Sequence, residues 1–221
     1  MTIIAIIGAG PGLGAAIARR FGAEGYNVAL IARNQDRLDA LAAQLAETGV
    51  FARGYSANVR DAMSLRAALD QATQDGGPIE VLTYNPLPQK EFLRPVLETA
   101  PEDLNGAAEF SLYAPVAAVH QVLQGMRFLK TGSILFVNGA SAVRPHASYA
   151  GTSIAFAGQS AYGQMLHETL QPEGIHVGQL IIPRGIEPGD ATHDPDVLAG
   201  VLWEMHTQRG DFRRYAEALD S

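Results

Sequence analysis

The stretch that most constrains this chain is its first fourteen residues, MTIIAIIGAGPGLG. There an apolar, β-branched run, Thr2–Ile7, breaks into glycines at Gly8, Gly10, Gly12 and Gly14. Such a run suits a strand buried on both faces of a parallel sheet. Ala15 to Glu24 then reads as a helix. A strand that turns on glycines into a helix presents backbone N–H groups and a helix N-terminus to a phosphate. Spacing of this kind also serves a simple tight turn, but its place between a clear strand and a clear helix favours a dinucleotide. Gly8, Gly10, Gly12, Leu13 and Gly14 are therefore the first candidate cofactor contacts.

The same alternation continues along the chain. Asn27–Ala32 is a second strand, and Asn34 caps a helix reaching about Glu47. Val50–Ser56 is a third strand, and Asp61 starts a helix that ends near Gly76-Gly77-Pro78. Ile79–Tyr84 follows as the fourth strand. After a loop holding Pro86, Pro88 and Pro95, Pro101 opens a long helix to about Phe128. Ser133–Asn138 is the fifth strand, Ser148 to Gln171 a helix and Ile175–Ile182 the sixth strand. Asp194 or Pro195 starts a late helix, and Phe212–Glu217 suits a short edge strand. Strands alternating with helices of this length predict right-handed crossovers and a doubly wound α/β fold. Ligands of such sheets sit past the carboxyl ends of the strands, beside strand one. No repeat or linker divides the chain, so residues 1–221 read as one dinucleotide-binding domain.

Composition narrows the partners. A net charge of −7 argues against nucleic acid or an anionic membrane. No run is long enough to span a bilayer, and the N-terminus enters a strand without a basic leader. The absence of cysteine removes disulfides and thiolate chemistry and fits a reducing cytoplasm. The six histidines form no metal-ligand spacing, so no metal site is expected.

The spacing Gly8-x-x-x-Gly12-x-Gly14 differs from the common G-x-G-x-x-G loop and resembles the cofactor loop of the short-chain dehydrogenase/reductase family. The resemblance runs from Ile3 to about Glu217. It implies a Rossmann-type, mostly parallel seven-stranded sheet of order 3-2-1-4-5-6-7 with helices on both faces. Arg33 and Asn34 stand where that family reads the adenosine ribose. A carboxylate at the end of strand two would repel a 2′-phosphate, whereas this chain has Ala32 followed by Arg33. NADP(H) is thereby favoured over NAD(H), the plain alternative being that Arg33 caps the strand or pairs with Asp36. Asn58 and Val59 match the positions against the adenine. Asn85 survives from the family's Asn-Asn-Ala-Gly stretch, while Pro86 and Leu87 add bulk that could narrow the cleft or reshape the loop. Gly185 and Ile186 match the turn beside the nicotinamide, with Arg184 either a substrate contact or solvated.

The catalytic positions depart from the family. The family couples a Ser at the end of strand five to a Tyr, and to a Lys one helical turn beyond it. The Tyr acts as general acid or base. Anchoring on Gly132–Val137 and, independently, on Pro172–Val177 places these positions at Gly139, Thr152 and Phe156. A fourth family residue falls near Ser111. Tyr149 and Ser141 are the candidate substitutes, with His146 a further acid beside Arg144. A tyrosine without a neighbouring cation is a poor base at neutral pH but can still donate a proton. The bland alternative is that Tyr149 and Phe156 pack at an interface or fill the lysine's space. Trp203, Met205 and His206 read as core or interface, and the short run after Ile186 leaves little or no substrate lid.

Two functions follow from the resemblance. One is an NADP(H)-dependent oxidoreductase acting by hydride transfer on a small carbonyl or alcohol, with a degenerate centre. The other is a non-catalytic NADP(H)-binding sensor or assembly subunit. A cleft remodelled for another ligand is a third. The family also implies a homodimer or homotetramer built through the long helices, where Ala107–Ala118 and Ser153–Ala161 allow close approach.

Overall fold

A computed structural model describes residues 2–219. Its seven strands are β1 (Ile3–Ile7), β2 (Asn27–Ala32), β3 (Ala52–Ser56), β4 (Ile79–Tyr84), β5 (Gly132–Gly139), β6 (Ile175–Ile182) and β7 (Arg213–Tyr215). They form one sheet of order β3-β2-β1-β4-β5-β6-β7, and every adjacent pair is parallel. The helices are α1 (Leu13–Ala23), α2 (Gln35–Glu47), α3 (Ala62–Gly76), α4 (Pro101–Ala108), α5 (Ala114–Leu129), α6 (Ala150–Leu170) and α7 (Pro195–Gln208). This is the doubly wound sheet expected from the alternation of apolar runs.

Alternate residues of β1 explain the two layers. Ile3, Ala5 and Ile7 face a core shared with α3, α5 and α6, whereas Ile4 and Ile6 face α1, α2 and α7. Both sets are buried because helices cover both faces of the sheet. The polar caps fall where the sequence places them. Asn34 accepts from the N–H of Arg37 at the start of α2, and Asp61 accepts from Met63 and Ser64 at the start of α3.

Several boundaries move. The third strand begins at Ala52 rather than Val50, and α6 begins at Ala150 with Tyr149 as its capping residue. The helix expected over Pro101 to Phe128 is broken by a π turn at Glu109–Tyr113. Pro115 is the cause: it has no N–H to return to Ser111, and its ring crowds that carbonyl. The hydroxyl of Tyr84 donates to the Phe110 carbonyl inside this turn. Ser111 lies buried there.

At the amino ends of the strands, away from the glycine loop, a hydrogen-bonded chain seals the sheet. Tyr26 donates to Glu80 at 3.1 Å, so His206 Nε2 donates to the Tyr26 oxygen and its Nδ1 accepts from Ser133, both at 2.8 Å. His206 and Met205 are core, as their helical spacing suggests, and Trp203 packs edge-on against Phe21 and Tyr26. Burial pushes His206 down to about 4.

Candidate functional site

The glycine loop is shaped by close approach. Gly8 has φ +97°, and a Cβ there would lie 2.6 Å from the Pro86 nitrogen. A Cβ on Gly14 would stand 2.9 Å from the Ala9 Cα and the Gly8 oxygen, so this glycine lets α1 start against the strand end. Gly10 and Gly12 differ, since no protein atom lies within 4 Å of a Cβ built on either. The Gly8 and Ala9 N–H groups bond to the Ile31 carbonyl, which fixes the loop on β2. The N–H groups of Gly12, Leu13 and Gly14 find no backbone acceptor among the described residues. Bare N–H groups at a helix N-terminus beside open glycines fit a pyrophosphate.

Asn85 serves this loop rather than pointing away from it. Its Nδ2 donates to the Gly8 carbonyl at 3.1 Å and its Oδ1 accepts from Thr83 at 3.2 Å. Asn85 is therefore a positioning residue. Pro86 packs on Gly8, while Leu87 stands 88% exposed, so its bulk is not packed into the strand ends.

At the adenosine end, a cavity of about 390 Å³ lies between the glycine loop and the start of α2. Gly10 and Pro11 form one wall, and Ala32, Arg33, Asn34 and Arg37 the other. No ion pair joins Arg33 to Asp36 among the described residues, so that alternative falls away. The Asn34 side chain is spent on its cap. Asn58 accepts from the Arg60 N–H and is exposed, with Val59 buried beside it. Arg37, which the sequence reading did not single out, lines the same cavity from the first turn of α2, behind the Asn34 cap. A wider groove of about 610 Å³ runs along the outer edge of β3, lined by Gln35, Arg53, Tyr55 and Gln71 among others, and holds none of the expected site residues. Burial and the hydrogen bond to Asp75 push Tyr55 in that groove up to about 12.

The catalytic positions converge at the carboxyl ends of β5 and β6. Gly139 pairs with Ile182, and a Cβ on Gly139 would meet only the Ile182 oxygen, at 3.9 Å. Phe156 is 5% exposed and packs with Ala142, Val143 and Ile181. The lysine position is thus an apolar contact between α6 and β6. Thr152 is buried, and its hydroxyl has no hydrogen-bond partner. Tyr149 is 44% exposed, with its ring stacked on His146 at 4.6 Å and 21°. The Ser148 N–H donates to His146 Nδ1 at 3.2 Å, which leaves Nε2 to carry the hydrogen of the neutral ring. Ser153 Oγ accepts from the His146 N–H at 3.0 Å. Ser141 lies half-buried in a short turn after β5.

The segment after β6 carries Gly185 and Ile186 and is held by Arg184. That guanidinium donates to both Asp190 oxygens, at 2.7 and 3.0 Å, and to Glu217 at 2.9 Å. Arg184 and the Thr192 and His193 N–H groups hold the Asp190 carboxyl well below its ordinary range, and the two carboxylates raise Arg184. Arg184, half-exposed, therefore clamps the loop to Glu217, just beyond the chain's last strand. Residues 183–194 contain turns only, so no helical lid covers the cleft. No group of ligands for a metal occurs among the described residues, and no helix there is long and apolar enough to cross a membrane.

Fold and glycine loop together define a doubly wound, dinucleotide-binding oxidoreductase architecture. Residues 2–193 match the short chain dehydrogenase model, and the chain belongs to the short-chain dehydrogenase/reductase family. It is similar over 99% of its length, and of the other chain's, to a short-chain dehydrogenase from Rhodopseudomonas palustris, with TM-score 0.86 and 27% identity. A metagenomic short-chain oxidoreductase in complex with NADP shares the fold at TM-score 0.84 and 23% identity, over 97% of this chain and 94% of its own. A 3-dehydrosphinganine reductase of Arabidopsis thaliana is 29% identical over 83% of this chain, which spans only 55% of that relative.

Proposed function

We propose that this protein binds NADP(H) and acts as an oxidoreductase on a small carbonyl or alcohol, with an atypical catalytic centre. The observation that carries the reading is the end of β2. Ala32 offers no carboxylate, and Arg33 lines a cavity beside the bare N–H groups of the glycine loop. When bound, the cofactor supplies the hydride donor or acceptor. Gly12, Leu13 and Gly14 hold its pyrophosphate through their N–H groups, and Asn58 and Val59 flank the adenine. Gly185 and Ile186 offer backbone to the carboxamide. Tyr149 or Ser141 holds the proton at the substrate oxygen, because the Thr152 side chain is too short to replace a tyrosine. The NADP complex of the metagenomic neighbour supports the choice of cofactor. A cytoplasmic site agrees with the absence of cysteine. A homodimer or homotetramer agrees with the exposed Ile154 and Met165 on α6 and Tyr113 of the π turn.

A second reading, a non-catalytic NADP(H) sensor or assembly subunit, is favoured by Phe156. An apolar contact where the family holds a cation removes the group that lowers a catalytic tyrosine's pKa. The two are separated by titrating NADPH and NADH and then assaying aldehydes, ketones and quinones for cofactor oxidation. Turnover that Tyr149→Phe abolishes supports the enzyme, and tight NADPH binding with no turnover on any compound supports the sensor. Light scattering that finds a monomer removes the oligomer.

A further inference from the structure

Almost every arginine of this chain is engaged. Arg19, Arg20, Arg53, Arg60, Arg94, Arg127, Arg184 and Arg214 pair with carboxylates. Arg209 and Arg213 donate to oxygens, and Arg144 also has a partner. Only the side chains of Arg33, Arg37 and Arg66 are without one among the described residues. Two of these three line the same cavity. Arg33 stands just before the Asn34 cap and Arg37 in the first turn of α2, so both bring positive charge to that one cavity. Carboxylates are plentiful in a chain of net charge −7, yet none comes within 4.0 Å of either guanidinium, and the nearby Asp39 is occupied by Gln35 at 2.7 Å. The fold alone does not account for two unpaired cations beside an open glycine loop.

We infer that Arg37 is a second phosphate ligand, closing with Arg33 on the 2′-phosphate of an adenosine nucleotide. The inference rests on the dinucleotide reading above and adds a specificity-determining residue to it. Three features converge. The Asn34 cap accepts the Arg37 N–H at 2.9 Å and so fixes the first turn from which the side chain projects. Ala32 leaves the floor between the arginines without a negative charge. Gly10 and Pro11 close the opposite wall at the loop that takes the pyrophosphate. A phosphomonoester carries close to two negative charges at neutral pH and three acceptor oxygens, enough for two guanidiniums at once.

Calorimetric titration of the intact chain with NADPH, NADH and adenosine 2′,5′-bisphosphate tests this. In Arg37→Ala the affinity for NADPH and for the bisphosphate should fall about tenfold or more, with NADH changed by less than about twofold. Arg37→Lys should recover part of the loss, since it restores charge without the planar fork. Arg66→Ala, which removes an equal charge elsewhere, should leave all three ligands unchanged. The NADPH advantage should also shrink as salt rises. Arg37→Ala that leaves NADPH unchanged, or weakens NADPH and NADH equally, overturns the inference. If only the bisphosphate binds, and does so through Arg37, the dinucleotide reading fails while the phosphate clamp stands. If none of the three binds, both fail.

Discussion

The two halves of the cleft are built in opposite ways. Around β1 and β2 the chain carries what a nucleotide needs: Gly8 at positive φ, bare N–H groups at Gly12 to Gly14, and unpaired Arg33 and Arg37. Around β5, α6 and β6, Gly139, a buried Thr152 and Phe156 against Ile181 make a mostly apolar contact. The first half depends on backbone geometry, which tolerates few residues. The second rests on side chains, which a core tolerates in exchange if the new ones fill the same volume. Binding and chemistry are separable in this fold because they rest on different parts of it.

The sharpest way to break the comparison is Gly8→Ala. It forces a side chain into a left-handed backbone and onto Pro86, so it should cost at least about 3 kcal/mol in urea unfolding and abolish cofactor binding. Normal binding by this variant would show that the loop is not the phosphate site. Phe156→Lys should cost about 3–5 kcal/mol, because an ammonium would be buried with Ala142, Val143 and Ile181 and no carboxylate. Phe156→Leu should cost only about 1 kcal/mol. Equal losses would mean that the pocket is already polar.

Acid should expose a third difference. Burial pushes both His176 and His206 from 6.5 down to about 4. The unfolded chain then takes up protons that the folded chain refuses. Stability should be full above pH 6.5 and fall as pH drops towards 4, by on the order of 3 kcal/mol for each histidine. His176 Nε2 has no partner, so His176→Phe should flatten part of that slope without disturbing a hydrogen bond of that nitrogen. Urea midpoints across this range give the answer, and a flat profile would refute it. Smaller still is Arg184→Ala, which should barely move the urea midpoint because the clamp is half-exposed and screened by water. It should nevertheless speed hydrogen exchange over residues 185–193, and unchanged exchange would show that the loop holds itself. Gly139→Ser should be close to neutral, within about 0.5 kcal/mol, since the nearest atom leaves room for a Cβ.

Much of this was legible beforehand. The glycine loop, the caps at Asn34 and Asp61 and the parallel sheet follow from local rules, and each fell where the residues put it, within two residues at most ends. The π turn at Glu109–Tyr113 was not legible as such, although Pro115 was in plain view, because a proline can break, kink or bulge a helix and its neighbours decide which. Arg184 had two readings on paper, a substrate contact or a solvated side chain, and its meeting with Glu217, thirty-three positions on, belongs to neither.

The sequence alone determined the period of its strands and helices and the glycine turn between the first of them, because these are properties of neighbours along the chain. Tertiary structure decided what each free group faces. It turned Asn85 back onto Gly8, committed Arg184 to two carboxylates, sealed Phe156 with Ile181 and left Arg33 and Arg37 unpaired at one cavity. Charge and burial are fixed by residues distant in sequence, and only folding brings those together.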